Sequence, residues 1–366
     1  MMTSKERFNC TCNFQIPDRF PIDYLAFPET NRKMIKYYGL KNQDELLNKL
    51  EVDFHYMTFR DISQNESALP YYFGPKLNIS ENKRTCPFGI IWNRAAYNDK
   101  FTVDTAIEGP LKSATTEKEI LSHPWPKPDW FKLDALHQEI EDHNDKVIIG
   151  GGWTGIFGDS YRMIGFENFL MNMAFNPELI KCLVNRMTDF YLSLNDKIFS
   201  ELKGKIDVWF WGNDFGSQQG LLFQEEMFVD YFLDNIAALN KLAKSYCIKI
   251  MMHSCGSIKP IIPLLIEAGV NILDPIQVTA YDMDPTDLKT RFGKQLVFHG
   301  GVDTQNILPY SAPENVYKHC LATLNTLGKN GGYIFAPSQI LQGEIPPENI
   351  DRMYNAAKMF KPDLIL

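Results

Sequence analysis

From residue 147 onward the chain repeats one pattern: a short, β-rich apolar run that ends in polar residues or glycine, followed by a long helical stretch. The runs are Val147–Trp153, Asp207–Asp214, Ile248–Cys255, Asn271–Val278, Gln295–Asp303 and Tyr333–Gln339. Near-continuous apolar strands alternating with amphipathic helices predict a parallel sheet covered by helices, because a strand buried on both faces has no solvated side to keep polar. Asn176-Pro177-Glu178, Ser311-Ala312-Pro313-Glu314 and Pro346-Pro347-Glu348-Asn349 mark helix starts. Proline suits these positions because first-turn N–H groups have no partner within the helix. Lys259–Ala268 carries Ile261, Ile262, Leu265 and Ile266 at helical spacing and stops at Gly269.

Earlier strand candidates are Phe20–Ala26, Phe54–Phe59 and Gly89–Asn93. With them the pattern approaches an α/β fold of the (β/α)8 TIM barrel type, a doubly wound open sheet being the alternative. The barrel is preferred because no clean boundary splits the chain into two sheets. One barrel domain over residues 1–366 is therefore expected, with an N-terminal extension. Asp61–Pro128, rich in Pro, Asn and Ser, is expected to be an irregular inserted segment capping one end.

Composition narrows the partners. Lys and Arg number 37 against 45 Asp and Glu, a net charge of −8, which disfavours nucleic acid as the main partner. No apolar run reaches the length of about 18 residues that a membrane helix needs. The start, Met1 to Phe8, has no apolar stretch behind its charges, so it is not read as a signal peptide. Seven scattered cysteines suggest a reducing compartment, and a cytoplasmic location is expected. Cys10-Thr11-Cys12 lacks the spacing of a zinc knuckle and is read as an incidental pair on a loose N-terminus. The sequence leaves a homodimer open.

In a parallel barrel the chemistry lies at the C-terminal ends of the strands. Here those ends read Trp153-Thr154, Asn213-Asp214, His253-Ser254-Cys255, Asp274 with Gln277, His299 to Asp303, and Ser338-Gln339. His253 and Cys255 stand two apart, so strand alternation aims both at one face, where imidazole and thiolate suit a borderline-soft cation such as zinc. The competing reading is a buried histidine beside a small apolar thiol. Asp214 suits a metal ligand, a ligand-orienting group or an acid–base group, and equally a helix N-cap. Asp303 carries the same pair of readings, and Gly300-Gly301 removes side chains where a ligand or a neighbouring backbone comes close. Asn213 is a hydrogen-bond candidate for substrate, and Trp153 a candidate wall of an apolar pocket. Gly150 to Gly155 fits G-x-G-x-x-G only nominally, since Trp153 is bulky where backbone should meet pyrophosphate.

Taken in order, these pieces resemble the uroporphyrinogen decarboxylase superfamily, especially its cobalamin-dependent methyltransferase branch. The matching segments are Pro17-Asp18-Arg19-Phe20-Pro21-Ile22-Asp23, Gly165-Phe166-Glu167-Asn168-Phe169-Leu170, Gly212-Asn213-Asp214-Phe215-Gly216 and His253-Ser254-Cys255-Gly256. Gly300-Gly301-Val302-Asp303-Thr304-Gln305, Tyr333 to Pro337 and Pro346 to Ile350 complete the set. Porphyrinogen decarboxylases carry an N-terminal run of the form R-Q-A-G-R that grips the many carboxylates of their substrate. Phe20 to Phe27 has no arginine here, which argues against that substrate. The resemblance implies instead a methyltransferase moving a methyl group between a small ether, amine or thiol and a corrinoid (methylcobalamin) brought by a partner protein, with zinc as Lewis acid. The family's zinc site uses H-x-C, matched by His253 and Cys255, and a later residue that falls on Gln339. Glutamine is a poor zinc ligand, so Asp214 or water completes the set, or the site is weak or lost. The alternatives are a decarboxylase or lyase of a smaller polycarboxylate using Asp214 and His253, and a non-catalytic barrel that binds a corrinoid or tetrapyrrole.

Overall fold

The computed structural model describes residues 2–64, 66–98 and 101–362. In chain order its strands are β1 (Phe54–Tyr56), β2 (Lys83–Thr85), β3 (Ile91–Asn98), β4 (Phe101–Glu108), β5 (Val147–Gly150), β6 (Val208–Gly212), β7 (Lys249–His253), β8 (Ile272–Ile276), β9 (Val297–Val302) and β10 (Tyr333–Pro337). Seven of them form one curled, wholly parallel sheet in the order β1-β5-β6-β7-β8-β9-β10, with helices in the connections. The six runs after residue 147 are its last six strands. The helices Pro177–Glu201, Pro313–Leu327 and Pro347–Met359 each start on a proline that the sequence marks.

The sheet has seven strands where eight are expected. Phe20–Ala26 supplies only isolated parallel bridges, Ile22 with Phe335 and Ala26 with Leu341. Pro21, which has no N–H to donate, and the helix that begins at Pro28 keep the segment short. Its backbone still reaches both sides. Phe335 N donates to Pro21 O at 2.8 Å, Asp23 N to Phe335 O at 2.9 Å, and Asp53 N to Ile22 O at 2.9 Å. Gly89–Asn93 lies outside this sheet. Ile91–Asn93 belongs to β3, which sits in a separate antiparallel sheet, β2-β3-β4. That sheet and the helix Glu117–Ser122 give Asp61–Pro128 more regular structure than its composition suggests.

Period-two alternation decides what the inner face carries. Val147, Ile149, Val208, Phe210, Met251, Ile272, Val297 and Ile334 form one apolar cluster with Phe54, and Phe8 packs into it. The neighbouring residues Ile148, Trp209, Trp211, Ile250, Met252, Leu273 and Phe298 belong to a second cluster that includes the covering helices. Two positions beyond the inner layer along each strand come Gly212, His253, Asp274 and His299.

Phe8 stands on the helix Ser4–Cys12, whose start is fixed by a reciprocal cap between Thr3 and Glu6. Cys10 and Cys12 therefore lie in ordered helix, not on a loose tail, and burial pushes the Cys12 thiol up to about 12. Asp53 secures this end of the sheet. It lies 2.6 Å from both Arg7 Nη1 and Arg19 Nη1 and accepts the Ile22 N–H at 2.8 Å. Two guanidinium partners and a backbone donor offset the cost of burying that carboxylate. Among the described residues no helix is long and apolar enough to cross a membrane.

Candidate active site

At the C-terminal ends of the strands lies a cavity of about 500 Å³, within the range of small-molecule sites. Register carries Gly212, His253 and Asp274 to one level, since Gly212 pairs with His253 and His253 with Asp274. A Cβ at Gly212 would overlap the His253 backbone, so only glycine lets β6 approach so closely there.

Asp214, His253 and Cys255 converge. Their ligand atoms all lie within 4.8 Å of one another. His253 Nε2 is 3.3 Å from Cys255 Sγ and 3.3 Å from Asp214 Oδ1. Ligand atoms of a tetrahedral zinc stand about 3.3–3.7 Å apart, given its bond lengths. The two separations from His253 fall in that range, and one thiol, one imidazole and one carboxylate suit such an ion. Asp214 Oδ1 also accepts the Cys255 N–H at 2.9 Å, so strand-end backbone holds the carboxylate toward the cluster. Protein crowding works to raise the Asp214 carboxyl, but the hydrogen bond and charge of His253 outweigh it and hold the group at about 2.

Behind His253 runs a chain of buried polar groups. His253 Nδ1 is 2.5 Å from Asp274 Oδ2, and Asp274 Oδ1 is 2.5 Å from His299 Nδ1. His299 Nε2 then meets Asp23 Oδ2 at 3.0 Å, and Tyr56 donates its hydroxyl to that same oxygen at 2.5 Å. Burial alone would lower the His299 imidazole, yet Asp274 and Asp23 on either side raise it to about 9. His299 is thus a buried cation between two carboxylates. Burial also disfavours charge on Asp274, but His299 and His253 together hold its carboxyl well below the usual range. His253 is raised well above the ordinary histidine value, because Cys255, Asp214 and Asp274 outweigh its burial. What attracts a proton to its outer nitrogen also attracts a divalent cation.

The other candidates divide. Trp153 lines the cavity, its ring 5.7 Å from that of His253 and 5.3 Å from that of Phe210. Gln339 lines it too and donates from Nε2 to Cys255 Sγ at 3.1 Å, while its Oε1 accepts the N–H of Ile340. Asn213 reaches the cavity wall, but its amide is engaged within the protein. Oδ1 accepts from Phe157 N and Gly158 N at 2.8 and 3.0 Å, and Nδ2 donates to Thr154 O at 3.2 Å. Gly300 and Asp303 are not among the lining residues. Gly300 has φ +96° and sits where a Cβ would come 3.2 Å from Ile276 N and 3.3 Å from Pro337 O, so strand packing requires the glycine. Asp303 turns its own loop, accepting from Gln305 N and Asn306 N at 2.7 and 3.0 Å.

Four participants escape a reading of strand ends: Asp23, Tyr56, Arg60 and Arg162. Asp23 and Tyr56 close the buried chain, and Arg60 and Arg162 are both among the residues that line the cavity. Inner-face parity carries Tyr56 and His299, because each lies two beyond an inward apolar residue. Nothing in the local sequence marks Arg162, which arrives on the short helix Gly158–Ile164.

Fold and cluster together define a parallel α/β protein with a candidate metal centre at its strand ends. The chain belongs to the uroporphyrinogen decarboxylase family, whose profile, uroporphyrinogen decarboxylase (URO-D), matches residues 131–360. Among solved structures it is similar to a methyltransferase from Methanosarcina mazei, with TM-score 0.65 and 14% identity over 98% of this chain and 99% of that one. At that identity the likeness is one of fold. An endo-1,4-beta-xylanase from Penicillium canescens aligns with TM-score 0.38 and 9% identity, over 66% of this chain and 83% of that one. No curated protein sequence matches the chain.

Proposed function

We propose that the protein is a methyltransferase of this family. It would move a methyl group between a small ether, amine or thiol and a corrinoid carried by a partner protein, at a zinc held by Asp214, His253 and Cys255. The observation that carries this reading is the three-ligand cluster at the cavity, supported by the fold shared with a methyltransferase. Asp214 takes the ligand position that Gln339 does not suit. In this reading Pro21–Asp23 is a vestigial first strand, residues 1–366 form one barrel domain, and Asp61–Pro128 is an excursion that caps one end.

Bound there, zinc would withdraw electron density from the heteroatom that gives up or receives the methyl group. The chain's own residues arrange the rest. Asp274 holds the proton of His253 on Nδ1 and so turns the Nε2 lone pair toward the cluster. Gln339 donates to the Cys255 sulfur and so helps hold it in place at the cluster. Trp153 and Phe210 give the cavity an apolar wall beside His253. The corrinoid is assigned to a partner because the chain's single Asp-x-His spacing, Asp53-Phe54-His55, is committed elsewhere: Asp53 is clamped by Arg7 and Arg19.

Metal analysis of the purified protein tests the proposal. About one zinc per chain is expected, lost in His253→Ala and in Cys255→Ala. Metal-free protein that releases carbon dioxide from a small polycarboxylate would favour a decarboxylase instead.

A further inference from the structure

Resting on the proposed methyl transfer, we infer that the small substrate is a carboxylate whose charged end is held by Arg60 and Arg162, opposite the Asp214–His253–Cys255 cluster. Both arginines line the cavity that holds Asp214 and His253. Arg60 lies over the Tyr56 ring at 4.9 Å, and the bond from Trp153 N to Arg60 O, 2.7 Å, fixes its backbone. Among the described residues no carboxylate pairs with its side chain. Arg162 lies against the rings of Trp92 and Tyr161 at 5.3 and 5.1 Å. Its Nη1 meets Asp159 at 3.2 Å and its Nη2 meets Gln64 Oε1 at 3.3 Å. Both cations are thus positioned before any ligand arrives, and only one has a carboxylate counter-ion.

The remaining acid on this wall is Asp61. Burial and the neighbouring charge of Asp159 raise its carboxyl to about 6, and its Oδ1 is already engaged by the N–H groups of Ser63 and Gln64, at 2.8 Å each. Elsewhere on the lining Asp23, Asp274 and Asp214 each contact His299 or His253, so no cation there is left unpaired for an anionic end. A molecule with one anionic end therefore has one favourable orientation, its charge at the arginines and its other end at the cluster. The two ends lie within reach of each other, since Arg60, Arg162, Asp214 and His253 line one cavity of about 500 Å³. A planar carboxylate matches guanidinium geometry, and aromatic walls suit an apolar middle.

Benzoate and its neutral isostere benzamide test this by titration calorimetry on the whole protein, zinc-replete and chelator-treated. Benzoate is expected to bind roughly ten- to a hundredfold more tightly than benzamide, the range for hydrogen bonds to charged groups. Arg60→Gln is expected to abolish that preference and Arg60→Lys to keep part of it, with zinc content and unfolding temperature unchanged in both. Benzoate binding no tighter than benzamide, or a preference that survives in Arg60→Gln, overturns the inference. Selective benzoate binding by a protein that takes up no zinc would retain the arginine wall and remove the methyl-transfer reading. Zinc uptake without that selectivity would do the reverse.

Discussion

His253 and His299 share one carboxylate: Asp274 meets the Nδ1 of each, one oxygen apiece, at 2.5 Å. A single buried acid thus orients the imidazole at the cluster and stabilises the cation behind it. Asp274→Asn keeps the shape but cannot take a proton from both rings. Zinc affinity is expected to fall about 10–100-fold, the usual effect of losing such a partner. Chelator competition measures it, with far-UV circular dichroism confirming an intact fold.

The His299 cation makes stability depend on pH. Its folded-state value of about 9 lies above the ordinary 6.5, so the stability it adds is complete below pH 6.5 and is lost as pH rises through 9. The loss across that window is on the order of 3 kcal/mol. Chemical denaturation at pH 6.5, 7.5 and 9 should show the decline, and His299→Gln should be flatter across the same window.

Gln339 offers a gain-of-function test. Its amide lies 3.1 Å from the Cys255 sulfur, so Gln339→Cys brings a second thiolate to the cluster. Zinc affinity should rise by at least about tenfold, a modest gain for an added ligand. Gln339→Ala should leave one zinc per chain.

Asn213 predicts a stability effect. Its side chain satisfies two N–H groups and one carbonyl beside the cavity, so Asn213→Ala orphans buried polar atoms. The expected cost is about 2–3 kcal/mol, read as a lower denaturation midpoint with unchanged slope.

The later two-thirds of the fold was legible because strands buried on both faces leave unbroken apolar runs. Phe20–Ala26 was legible as a candidate in the right place but not in its extent, because Pro21 and Pro28 confine it to single bridges in place of a full strand. In the site, the pairing of His253 with Cys255 follows from a spacing of two, and Asp214 joins them through register across neighbouring strands. Asn213 and Asp303 look alike in sequence as polar residues at strand ends. Asp303 is consumed by its own loop, one of the two readings its sequence allowed. Only tertiary geometry reveals that Asn213 is consumed by Phe157, Gly158 and Thr154 in the connection after β5. Arg60 and Arg162 come from separate connections, and only the fold brings both to one cavity.

The phenyl ring of Phe8, set among Phe54, Val147, Met251 and Ile334, ties the first helix to strands laid down much later in the chain. The innermost apolar layer is therefore finished only when the N-terminal segment has folded onto it, and trimming the chain at that end would bare greasy side chains far from the chemistry.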